Sequence, residues 1–224
     1  MGVVARAWIS LAILVAAVGL ILFGIAGTLD YWQAWIYLLL LTGMSALITA
    51  DLMRRDPELL ARRLKGGPTG EKRPVQRLIM IGVSLGYVAM IVIPPLDVRY
   101  GWSAVPVWAV IVGDVLFLAG FMFIGYVYRV NSYTSATVEV HQGQHVVSTG
   151  PYGVVRHPMY ASALIYLIGT PIALGSYWGY AGLAVMAPFI IWRLLDEERL
   201  LASELPGYAE YRARVRHRLV PGVW

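Results

Sequence analysis

The chain has 224 residues, 58% hydrophobic and only 14% charged, with mean hydropathy +0.65 and a formal charge of +5. Soluble domains carry roughly 45–50% apolar and about 25% charged residues, so a soluble enzyme and a disordered chain are both excluded. Cysteine is absent, which removes disulfide scaffolds, thiolate metal sites and cysteine nucleophiles.

The apolar residues come in long blocks. Four of them, near 7–29, 32–53, 78–96 and 104–128, are each long enough for a crossing of about 20 helical residues. The first exceeds the apolar core of a signal peptide and no small-x-small cleavage site follows it, so it is expected to remain as a span. A fifth block, 158–195, is nearly twice the length of one crossing, and Pro171, Gly175, Ser176 and Gly179 interrupt its middle. That pattern predicts a tight hairpin of two helices. The expected fold is all-α: a polytopic transmembrane helical bundle of five to six crossing helices that ends in this hairpin. It forms a single integral-membrane unit over 1–224. Residues 1–129 carry the first spans and a basic loop at 54–77; residues 130–224 carry a polar loop, the hairpin and the C-terminal segment.

Lys and Arg are distributed unevenly. Arg54, Arg55, Arg62, Arg63, Lys65, Lys72, Arg73 and Arg77 fall in the second loop, Arg129 and Arg156 flank the fourth, and Arg193, Arg199, Arg212, Arg214, Arg216 and Arg218 lie at or beyond the last span. With Arg6 ahead of the first span and an even number of crossings, all of these share one side and only Arg99 lies opposite. The positive-inside rule makes that side cytoplasmic, with both termini on it. The charge excess is then an orientation signal that also meets anionic membrane lipids, and nucleic acid is not an expected partner. The opposite loops hold only a few residues, so a sizeable site belongs at the basic end.

Polar chemistry gathers in two places. The stretch 139–160 holds His141, His145 and His157 together with Gly143, Gly150 and Gly153. His141 and His145, four apart, could bind a metal with His157 or Glu139, but the intervening glycines argue against a helix that presents both on one face. Pro158 suits the first position of a helix, and the residue before it should be extended. Arg156 and His157 then sit ahead of a helix N-terminus, a setting that favours a carboxylate or phosphate and equally suits lipid headgroups. The second place is Arg193-Leu194-Leu195-Asp196-Glu197-Glu198. On a continuing helix Arg193 and Glu197 share a face, either as a solvated pair or as groups offered to a ligand. Within the spans, Asp114 is the acid nearest the middle of a block, a functional candidate or a partner for a neighbouring helix. Asp51 is expected at the interface, where Trp8, Trp32, Trp35, Trp102, Trp108, Trp178 and Trp192 also fit as anchors.

These clusters carry a resemblance. The stretch 144–160 (QHVVSTGPYGVVRHPMY), then the hairpin, Arg193-x-x-x-Glu197-Glu198 and Gly207-Tyr208-Ala209-Glu210-Tyr211, resembles the isoprenylcysteine carboxyl methyltransferase family and the related phospholipid methyltransferases. The similarity covers about residues 144–221. It implies an integral-membrane methyltransferase that uses S-adenosylmethionine, releases S-adenosylhomocysteine and takes a lipophilic or lipidated acceptor. Carried over by position, Gln144, His145, Val146, Val147, Tyr152, His157, Pro158, Met159, Tyr160 and Glu197, with the adjoining Glu198, would line the cofactor. Arg156 and Arg193 are the expected catalytic residues, the first toward the cofactor carboxylate and the second toward the methyl acceptor. Gln144 stands where the family has His, and His145 is displaced by one. The competing readings are an NADPH-dependent membrane reductase of the sterol-reductase kind and a non-catalytic membrane protein.

Overall fold

Inside a bilayer every backbone N–H and C=O must be satisfied within the protein, which confines spanning segments to helices or closed barrels. The computed structural model, which describes residues 2–224, takes the helical solution: among the described residues there is no strand. The α-helices are α1 (Val3–Ala26), α2 (Trp32–Arg55), α3 (Pro57–Arg63), α4 (Pro74–Tyr100), α5 (Val107–Val130), α6 (Pro158–Ala173), α7 (Tyr180–Glu204) and α8 (Tyr208–Arg214), with a 3-10 turn at Gly150–Gly153. Four of them, α1, α2, α4 and α5, are long and apolar enough to cross a membrane, with hydropathies of 2.8, 1.8, 2.1 and 2.3. The expected hairpin is present as α6, of 16 residues, and α7, of 25. Only the first half of α7 is apolar; it runs on past the acidic run into the basic end of the molecule.

The short helix α3 was not foreseen, yet its start signals are in the sequence. The Asp56 side chain accepts from the Leu59 N–H at 2.8 Å, and Pro57 occupies the first turn, a favoured capping arrangement.

The helices assemble as two close pairs, α5 with α6 and α4 with α7, while α1 packs on α2 and α4, and α2 on α5. Close pairing in lipid needs small residues at the contact, because apolar side chains gain little by leaving lipid for one another. A Cβ on Gly120 of α5 would sit 2.6 Å from the Tyr166 backbone N of α6, and one on Gly86 of α4 would sit 2.7 Å from the Met186 Cβ of α7. Beyond their shared turn, α6 and α7 touch little. The two pairs therefore stand apart toward the basic end.

At the opposite end they are locked together. The carboxylate of Asp97, 1% exposed, accepts from the Ser103 N–H and hydroxyl, both at 2.6 Å, and from the Ser176 hydroxyl at 2.5 Å. The Tyr31 hydroxyl donates to the Leu174 carbonyl at 2.6 Å. These bonds hold the α6–α7 turn against α2 and α4, which leaves the open space between the pairs at the basic end.

Filling the α4–α7 contact should force the two helices of that pair apart. Gly86→Val is expected to destabilise the protein by about 1–3 kcal/mol, as overpacking does, and so to lower its melting temperature in detergent. Gly24→Val, where a Cβ meets nothing within 4 Å, is expected to leave the melting temperature unchanged.

Candidate active site

Between the two helix pairs lies a cavity of about 650 Å³, within the range of small-molecule and cofactor sites. Its basic end is roofed by the segment 131–147. Within the helices its walls are apolar, with Val83 and Val88 from α4, Ala163 and Leu167 from α6, and Met186 and Ile190 from α7.

The roof is a loop of irregular backbone held in place by charge. Arg62 and Arg63 of α3 donate to the carbonyls of Ser132 (2.6 Å) and Ser135 (3.0 Å), and Arg193 of α7 donates to that of Ala136 (2.8 Å). The Glu71 carboxylate accepts from the Val138 N–H at 3.3 Å, and Lys72 bridges Glu139 at 2.6 Å. The Lys72 bond holds the Glu139 carboxyl below its ordinary range. A loop over a cavity has no ladder to satisfy its carbonyls, so guanidinium donors take that role.

Of the cofactor-lining and catalytic residues that the resemblance implies, all but Pro158 and Glu198 line this one cavity. Gln144 accepts from the His141 N–H at 2.9 Å through its side-chain oxygen, which closes a turn. The His145 ring stands edge-on to Tyr133, with centroids 5.3 Å apart. Val146 and Val147 add apolar wall, and Val146 packs beside Leu205, Tyr208 and Tyr211. Tyr152 comes from the 3-10 turn, its carbonyl accepting from the Tyr211 hydroxyl at 2.8 Å. His157, Met159 and Tyr160 come from the start of α6. The Tyr160 hydroxyl donates to Glu197 at 2.6 Å, and Glu197 has no cationic partner among the described residues.

The two arginines expected at the catalytic centre reach the wall with partners already in place. Arg193 is bridged to Glu71 at 2.7 Å and donates to the Gln76 side-chain oxygen at 2.8 Å. Arg156 is bridged to Glu198 at 2.7 Å and donates to the carbonyls of Val215 and Arg216, both at 2.8 Å. The N–H groups of Arg156 and His157 donate to the carbonyls of His217 (2.9 Å) and Arg218 (3.0 Å). These two donors ahead of α6 are therefore occupied by the C-terminal segment.

Glu198 faces away from the cavity. One oxygen accepts from Arg156 and lies 3.2 Å from His157 Nε2, and the other accepts from Arg218 at 3.0 Å. Burial opposes ionisation of this carboxyl, but bonds from His157, Arg156 and Arg218 outweigh it and hold the group well below the usual carboxylate range. Asp196, next to it, pairs with Arg73 at 2.7 Å and accepts from Gln76 at 2.5 Å. Asp114 is half-buried on α5, away from the cavity, and its buried oxygen lacks a partner among the described residues. Asp51 sits at the basic end of α2, bridged to Arg55 (2.7 Å) and Arg129 (3.1 Å).

Sequence reasoning missed Glu71 and Gln76, which reach Arg193 across more than a hundred positions of chain. The one available signal was Glu71 itself, one of three acids, with Asp56 and Glu58, among the eight cations of 54–77.

Residues 108–205 match the model of the phospholipid methyltransferase family. The matched segment, somewhat under half of the chain, runs from α5 to the end of α7 and contains the roof, the start of α6 and the three acids. No curated protein matches the chain. Fold and match together define the class of this protein, a polytopic membrane methyltransferase. The matched residues are similar to the phospholipid methyltransferases, and the resemblance seen in 144–221 falls largely within them.

The depressed Glu198 carboxyl carries a signed pH dependence. Its unfolded value is about 4.3, so its contribution to stability is complete above that value and is lost as pH falls toward the lower folded value. Glu198→Gln, which breaks a buried pair, is expected to cost about 3 kcal/mol at pH 7. In detergent melting curves the gap to wild type should stay constant above about pH 5 and narrow below about pH 4.

Proposed function

We propose that the protein is an S-adenosylmethionine-dependent methyltransferase that methylates a lipophilic acceptor, an isoprenylcysteine carboxylate-like group or a lipid, drawn from the bilayer. The observation that carries this reading is the change in character along one cavity. Its basic end is polar, with His145, His157, Tyr160 and Glu197, while the part between the helix pairs is apolar. A zwitterionic cofactor suits the first end and an acyl or prenyl chain the second. The basic end is proposed to face the cytoplasm, a placement the distribution of Arg and Lys supports.

The polar end fits the cofactor in kind. Glu197, which bridges no cation among the described residues, accepts hydroxyl or ammonium donors. Tyr152 and Tyr160 offer aromatic faces to a cationic centre. His157 and the first turn of α6 remain for the carboxylate, since the Arg156 guanidinium is engaged with Glu198. When bound, S-adenosylmethionine would supply a methyl on a sulfonium whose departure as a neutral thioether needs no acid. The chain is left with the tasks of alignment and exclusion of water, effects worth about 7–11 kcal/mol in favourable cases.

Arg193 serves this reading chiefly through the roof. Its charge is compensated by Glu71 and its donors hold Gln76 and Ala136, so an acceptor carboxylate would meet a neutralised pair instead of a free cation. The family match is to methyl-transferring proteins, which favours this reading over the reductase and the non-catalytic one.

Calorimetric titration of the purified protein with S-adenosylhomocysteine is the direct test. Wild type should bind, and Glu197→Ala should lose at least about tenfold in affinity, the scale of a charge-assisted hydrogen bond. An absence of heat with wild type, or unchanged affinity in Glu197→Ala, would contradict the assignment.

A further inference from the structure

We infer that Arg218 and Glu198 are positioning residues for the polar end of the cavity and act through His157; the inference rests on the cofactor reading of that end. His157 is the link between the cavity wall and what lies behind it. Its ring stands against Tyr160, with centroids 5.7 Å apart, and Tyr160 in turn donates to Glu197. On its other side the ring nitrogen lies 3.2 Å from Glu198, a residue that is itself outside the cavity lining.

The C-terminal segment closes this arrangement from behind. Arg218 bridges the second Glu198 oxygen at 3.0 Å, and the Arg218 carbonyl accepts from the His157 N–H at 3.0 Å. Backbone and ring of His157 are thus both tied, directly or through one carboxylate, to a single residue sixty-one positions on. That residue is fixed in its turn: the Arg218 N–H donates to the Trp224 carbonyl at 2.9 Å, and its guanidinium lies 5.0 Å from the Trp224 ring centroid. A guanidinium over an aromatic face is attracted by the ring quadrupole.

All of this tail lies beyond residue 205, where the family match ends. The matched segment supplies the polar wall residues His157, Tyr160 and Glu197, and the tail supplies the support that sets one of them. A histidine at a wall has two free torsions. Fixing them before a ligand arrives removes an ordering cost that would otherwise be charged against affinity.

The test is a set of calorimetric titrations with S-adenosylhomocysteine, each paired with a melting curve of the same sample. Arg218→Gln should weaken binding about five- to tenfold, the range of one side chain left to be ordered. Arg218→Lys, which keeps the charge at Glu198, should stay within about twofold of wild type. Arg216→Gln, on an exposed side chain of the same tail, should bind as wild type does. Trp224→Leu is the milder second probe and should show a smaller loss. The deciding readout is coupling: in a His157→Ala background, Arg218→Gln should cause no further loss. An unchanged affinity in both Arg218→Gln and Trp224→Leu overturns the inference, as does an equal loss with and without His157. If wild type binds no S-adenosylhomocysteine, the cofactor reading falls first and this inference with it.

Discussion

A carboxylate at the mouth of a membrane helix must find a cation or water, and α7 carries three in a row where its apolar part stops. Successive helical residues point about 100° apart, so Asp196, Glu197 and Glu198 cannot share a partner. Asp196 turns to Arg73 and Gln76 at the start of α4. Glu198 turns to Arg156, His157 and Arg218. Glu197 faces the cavity with only a tyrosine hydroxyl. One helix end thereby fastens two separate parts of the chain, the basic loop and the C-terminal segment, and leaves one charge for a ligand between them. The separation of the helix pairs toward this end supplies the space, and the Asp97 lock at the opposite end keeps it from opening right through.

The basic residues have a second task beyond orientation. Counted as charge they mark one side of the membrane, but Arg62, Arg63, Lys72 and Arg193 each donate to the segment over the cavity. An irregular loop at the membrane surface cannot satisfy its own carbonyls and would otherwise be mobile or hydrated. Holding it with long cationic side chains keeps the roof in place and the polar end shielded. This explains why a loop that reads as a topology signal contains Glu71: that acid gives the buried Arg193 its bridging counter-charge.

The fold was largely legible, because hydropathy blocks and the Pro/Gly interruption at 171–179 follow from the thickness of a bilayer and the stiffness of a helix. Part of the polar wall was legible as well, through the run from Gln144 to Tyr160 and through Glu197, whereas the roof at 133–138 and the wall from α4 were not. Partnership was not. Sequence spacing placed Arg193 beside Glu197, since residues four apart on a helix share a face, yet Arg193 prefers Glu71, which is more deeply buried and arrives from another element. Likewise Glu198 looked like a second wall residue because it follows Glu197, whereas the helical rotation sends it behind the wall. Contacts between elements far apart in the chain leave no periodic trace, and a single charged residue gives no sign of which neighbour it will meet.

The central claim is that this cavity brings a methyl donor at its polar end together with a lipophilic acceptor from the bilayer. The most direct measurement incubates membranes from cells that express the protein with methyl-labelled S-adenosylmethionine and follows the label into the organic-solvent extract. The account predicts label in an extractable product with wild type and background label with Glu197→Ala expressed to the same level. Equal label in the two membranes, or none above that of cells lacking the protein, would contradict it.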